Sequence, residues 1–229
     1  MDNAGALKDN VMRLRDEVAN ACAAAGRSAD DVRIVAATKC VPQSVAERLP
    51  ALGIDTAGEN RVQEFLQKYR VDSPLRWHII GALQTNKVKY VVGKAEMIQS
   101  VDRLSLLQEI DKLSARQATV TDILVEVNIG REENKSGVLP EAVDELTAAA
   151  SEMRHVRLRG LMSVPPVQAP VKLYEQMREL FVRLRQRQSA VDTLSVGMSN
   201  DYITAVRCGA TMIRPGRALF GARDRYEKR

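Results

Sequence analysis

The chain has 229 residues, 45% of them hydrophobic and 28% charged, with a net charge of +5. That balance excludes a disordered chain, and no apolar run is long enough to span a bilayer. Aromatic residues make up only 4%, so platforms for stacking nucleic-acid bases are scarce and an anionic small ligand is the better reading of the basicity.

In chain order, residues 4–25 form a first helix, with Val11, Leu14, Val18, Ala21, Cys22 and Ala25 on one face and Gly26 as its C-cap. A buried strand follows over 32–38 and ends on Lys39; Pro42 then opens a helix over 42–51. A short strand at 54–57 leads to Gly58-Glu59-Asn60 and a helix that buries Val62, Phe65, Leu66 and Tyr69. Strand 77–81 precedes a helix opened by residues 83–87. Strand 97–101 is followed by Asp102 as cap of a helix over 103–115. Strand 122–128 ends in a polar loop, and Pro140 starts a helix to about residue 153. Strand 158–164, a Pro-rich turn, a basic helix over 171–190, strand 194–197, helix 201–208 and strand 211–214 complete the chain.

Strand and helix thus alternate about eight times from Val32, the rhythm of parallel βαβ units. Eight units that close give a TIM-like (β/α)8 barrel of the α/β class, here behind an extra N-terminal helix and filling one domain over 1–229. An open doubly wound sheet is the runner-up. No Gly-x-Gly-x-x-Gly follows the first strand, which disfavours a dinucleotide fold.

Lys39, Asn60, Asn128, Ser199 and Arg214 with Gly216 fall at strand C-terminal ends, which in a barrel converge on one mouth. A lysine there is either a snorkelling strand-end residue or a desolvated amine able to form a Schiff base. The turns at Gly197-Met198-Ser199 and Pro215-Gly216-Arg217 offer a hydroxyl and main-chain amides for a phosphate. An amine facing a phosphate cup suits a phosphorylated aldehyde. Cys22, Cys40 and Cys208 have no metal-like spacing; their odd count suits a reducing compartment, and no metal site is expected. Cys40 reads as a small core residue, His78 as a core or rim histidine, His155 as surface, and Arg183, Arg185 and Arg187 as a solvated face. Lys135 lies in a loop on the mouth of Lys39, a solvated lysine or a second amine for the aldehyde.

The stretches 35–39, 58–64, 77–87, 127–129, 135–137, 160–162, 194–199 and 213–221 together resemble the pyridoxal-phosphate-binding homeostasis proteins, relatives of the alanine racemase barrel. The resemblance covers almost the whole chain in the family's order. It implies that Lys39 forms an internal aldimine with pyridoxal 5′-phosphate. It implies further that Ser199, Gly216 and Arg217 hold the phosphate, that Arg214 faces the pyridine nitrogen, and that Asn60 lines the cofactor. The function it implies is storage and delivery of the cofactor, with apo pyridoxal-phosphate enzymes as partners, no substrate turnover, a monomeric state, and no nucleic acid or membrane. A cytoplasmic location is expected, since residues 1–4 do not begin a secretory signal. The alternatives are a true pyridoxal-phosphate enzyme such as a racemase, and a class I aldolase that uses Lys39 without cofactor. The racemase is disfavoured because alanine racemases continue into a β-domain, for which no region follows the last strand.

Overall fold

The computed structural model, which describes residues 3–222, opens on α1 (Asn3–Ala24). Leu7, Val11, Leu14, Val18 and Ala21 are buried along it at spacings of three and four, the interval that stacks side chains on one helix face. The first strand is split in two. Its lower half, β1 (Arg33–Ile34), and its upper half, β2 (Ala36–Ala37), flank Val35. β3 (Thr56–Glu59), β4 (Arg76–Ile79), β5 (Met97–Val101), β6 (Thr121–Glu126), β7 (Val156–Met162), β8 (Thr193–Ser195) and β9 (Met212–Ile213) follow.

From β2 to β9 each strand pairs in parallel with the next, and β1 pairs in parallel with β9. Residues 33–37 therefore serve as neighbour to both ends of the sheet, and the sheet closes. This is the expected barrel; the open doubly wound sheet would leave free edges on β1 and β2. Val35, Met97, Leu124, Met162 and Met212 pack inside it, apart from the larger core between sheet and helices. Three of the five are methionines, whose flexible thioethers fill an irregular centre.

The outer helices are α2 (Gln43–Ala46), α3 (Val62–Lys68), α4 (Leu104–Arg116), α5 (Val143–Ser151), α6 (Val171–Arg187), α7 (Tyr202–Arg207) and α8 (Arg217–Phe220). Helix 42–51 is in fact α2 plus a 3-10 turn, and the segment after β4 is a 3-10 helix over Thr85–Tyr90. Asp102 does not cap α4: Arg103 holds that position, and its guanidinium donates to Asp102 at 2.5 Å. Leu66 is exposed, because the inward face of α3 is taken by Val62, Phe65 and Lys68. α1 packs on α7 and α8, where Asn10 Nδ2 donates to the Leu219 carbonyl at 2.8 Å and the Tyr202 hydroxyl donates to Glu17. No described helix is long and apolar enough to cross a membrane.

Candidate functional site

Lys39 leaves the barrel at the C-terminal end of β2, in a tight turn closed by Val41 N–H donating to the Thr38 carbonyl at 2.9 Å. Cys40 occupies the left-handed region of that turn at φ 63, which turns its side chain to solvent and corrects its reading as core. A non-glycine residue there is strained, so the surroundings must hold it. They do so on both sides of Lys39. The Lys68 ammonium donates to the Thr38 carbonyl at 2.8 Å, and Glu64 Oε2 accepts the Cys40 amide at 3.0 Å. Lys68 also donates to Glu59 Oε1 at 2.6 Å, and the Thr38 hydroxyl donates to the same oxygen at 2.6 Å. Glu59 is fully buried, and burial pushes its carboxyl above the ordinary value even with the ammonium beside it. The sequence reading missed Lys68. Its signal was position: it lies three residues after Phe65, on the inward stripe.

Across the mouth, Ser199 Oγ accepts two main-chain amides, Gly216 N–H at 3.0 Å and Ala218 N–H at 3.1 Å. Both contacts use its lone pairs, so the hydroxyl keeps its one proton to donate. The turn is crowded: a Cβ at Gly216 would lie 3.3 Å from the Ala37 carbonyl oxygen. Gly197, at φ +105, brings this loop in so closely that a Cβ there would meet that of Ala205 at 2.7 Å. Asp201 steadies the loop by accepting Met198 N–H at 2.6 Å and the Tyr174 hydroxyl at 2.6 Å.

Arg214, just past β9, is buried between these two walls with 3% exposure. Its Nη1 donates to Ser195 Oγ at 2.5 Å and its Nη2 to the Ser163 carbonyl at 2.8 Å. Burial lowers its pKa to about 10 against the pull of Glu126, so the guanidinium stays charged at neutral pH. Glu126 itself is pushed up to about 7, chiefly by burial and then by Asp102, with Arg214 opposing.

Lys39, Ser199, Arg214, Gly216 and Arg217 line one cavity of about 720 Å³. Asn60 is exposed beyond β3 and does not line it. Asn128 is absorbed into its own loop, donating to the Glu132 carbonyl at 2.8 Å and accepting Glu132 N–H at 3.1 Å. Lys135 is paired with Glu132 at the rim, where its Nζ reaches the Pro165 carbonyl at 3.5 Å. His78 is fully buried inside the barrel, while Arg183, Arg185 and Arg187 face solvent. The donor set fits a phosphorylated aldehyde: an amine, a serine hydroxyl that keeps its proton to donate, and a buried cation that can only donate.

The alanine racemase N-terminal domain family matches residues 3–224. The pyridoxal phosphate homeostasis protein of Aquifex aeolicus is 42% identical over 222 residues, covering 94% of this chain and 97% of its own. The chain belongs to the pyridoxal phosphate homeostasis protein family. Among solved structures of similar shape, a protein of unknown function from Bifidobacterium adolescentis superposes with a TM-score of 0.89 at 28% identity, over 96% of this chain and 97% of that one. PipY of Synechococcus elongatus, solved with pyridoxal phosphate bound, gives a TM-score of 0.75 at 30% identity, over 83% of this chain and 93% of its own. The family resemblance read from the motifs is thereby established over nearly the whole chain.

Proposed function

We propose that this protein binds pyridoxal 5′-phosphate and serves cofactor homeostasis, holding the aldehyde on Lys39 as a Schiff base and releasing it without turning over a substrate of its own. The observation that carries this reading is the single cavity shared by Lys39, the Ser199–Gly216 turn and the buried Arg214. The Lys39 amine condenses with the aldehyde and expels water. The Ser199 hydroxyl and the Gly216–Arg217 turn would take the phosphate and Arg214 would donate to the ring nitrogen, while Asn60, outside the cavity, is given no part. When bound, the cofactor supplies a reactive aldehyde and, if its ring nitrogen is protonated, an electron sink for carbanions. A guanidinium at that nitrogen cannot accept a proton and disfavours a second positive charge, so the sink is kept weak. The proposal extends to a monomer of one domain over 1–229, working in the cytoplasm and supplying apo pyridoxal-phosphate enzymes.

The test is to load the purified protein with pyridoxal phosphate, reduce with borohydride and map the labelled lysine. We expect a visible absorption band and label on Lys39, both lost in Lys39→Ala. Label chiefly on Lys135 or another lysine would overturn the assignment. A parallel screen should give no steady racemisation or decarboxylation of common amino acids, while an apo enzyme mixed with the loaded protein regains activity. Multiple turnover lost in Lys39→Ala would make this an enzyme.

A further inference from the structure

A hydrogen-bonded chain runs through the barrel interior from the mouth to the opposite face. Arg214 Nη1 donates to Ser195 Oγ at 2.5 Å, and Ser195 Oγ donates to Gln99 Oε1 at 2.7 Å. Gln99 Nε2 meets His78 Nδ1 at 2.7 Å, and His78 Nε2 meets Glu96 Oε2 at 2.9 Å. Ser195, Gln99 and His78 are each fully buried. At the far end Glu96 is paired with Arg33 at 2.8 Å and Arg76 at 3.1 Å.

The two ends force the direction of every link. A guanidinium only donates, so Ser195 accepts from it and must spend its one proton on Gln99. Gln99 therefore turns its oxygen to Ser195 and its NH₂ to His78. Nδ1 of His78 accepts, which leaves the ring proton on Nε2, donated to a carboxylate that only accepts. Each link thus presents its negative end toward Arg214. A second proton on His78 would reverse Gln99 and turn its NH₂ on Ser195, whose own proton would lose its acceptor. Burial holds His78 below its ordinary value; Glu96 opposes this, and Arg33 and Arg76 add to it.

We infer that Ser195, Gln99 and His78 are positioning residues for Arg214: a one-directional relay, each member accepting on the Arg214 side and donating onward to end on Glu96, that anchors the guanidinium from behind so that its remaining N–H groups face the cofactor's ring nitrogen. This rests on the role given to Arg214 under the proposed function. The relay's own signature needs no cofactor.

The chain has two histidines, so nitrogen NMR of the unloaded protein resolves His78 readily. We expect a neutral ring at pH 6 with the proton on Nε2; a proton on Nδ1, or an imidazolium at that pH, overturns the relay. Gln99→Glu keeps shape but offers His78 only an acceptor, so it should raise the His78 pKa by about one to three units. An unchanged His78 in that variant also overturns it. With ring-labelled pyridoxal phosphate bound, Ser195→Ala should weaken affinity roughly tenfold and shift the ring-nitrogen signal. If both equal the wild type, the relay does not act on the site. A wild-type protein that develops no visible band with the cofactor instead removes the proposed function, and leaves the histidine result to decide the relay alone.

Discussion

Glu126 Oε2 is buried without a hydrogen-bond partner among the described residues, close enough to feel both Asp102 and Arg214. An unpaired buried carboxyl costs far more ionised than protonated. Its pKa stands at about 7 in the folded protein against an ordinary 4.5. Between those values the folded state keeps a proton that the unfolded state gives up, so this group's contribution to stability falls as pH rises through that window. Glu126→Gln should therefore gain on the wild type between pH 5 and pH 8, on the order of 2 kcal/mol, in urea unfolding at the two pH values. An equal difference at both would mean that the carboxyl is solvated. The opposite wall is simpler. Ser199→Ala removes the oxygen on which the Gly216 and Ala218 amides converge, and the hydroxyl that faces the cavity. Pyridoxal phosphate should bind more weakly by about 1–2 kcal/mol, read by absorbance titration, while pyridoxal without its phosphate should be little affected by the change.

At the scale of the element, α3 acts as a brace for the end of β2 through Lys68 and Glu64 rather than as a plain apolar cover. Lys68→Met keeps the stem but leaves Glu59 buried beside an empty partner position. We expect a loss of roughly 3 kcal/mol at pH 8, the usual cost of breaking a buried pair from one side. The loss should shrink at pH 5, because burial already raises the Glu59 pKa and a protonated carboxyl needs no counter-ion. The brace also shows what the sequence could disclose. Strand 97–101 was readable because Met97, Ile98 and Val101 make a short apolar segment ahead of a helical pattern, and α1 because its apolar positions keep a helical interval. Lys39, Ser199, Arg214 and Gly216 were readable because each follows a strand and belongs to a local motif. Lys68 was not, since an apolar criterion prefers Leu66 and only packing shows which of the two points inward. Ser195, Gln99 and His78 lie on three different strands, so their contact depends on barrel register, which no local pattern encodes. The split of the first strand at Val35 is likewise invisible locally: it follows from one strand pairing with both ends of the sheet.

For the whole molecule, the face opposite the mouth carries a belt of charge. Glu96 takes Arg33 and Arg76, Asp55 takes Arg76, and Asp122 takes Arg157 and Arg159. His78 and Arg33 hold the Glu96 carboxyl down to about 2, against the effect of its burial. A depressed carboxyl adds stability that is complete above its ordinary value near 4.5 and is lost as pH falls toward 2. The melting temperature should thus drop between pH 5 and pH 3, and Glu96→Gln should flatten that drop; an unchanged slope would assign acid sensitivity elsewhere. The closure of the sheet has a further consequence, in time rather than in space. During synthesis β2 can join β3 early, but β1 must wait for β9, near the other end of the chain. Until that late pairing Lys39 and Arg214 belong to opposite, unjoined ends of a growing sheet. Such distant pairings are slow to form and leave strands exposed meanwhile. The cavity that Lys39 and Arg214 line together is therefore assembled only when the ring closes, so the site is the last part of the barrel to take shape.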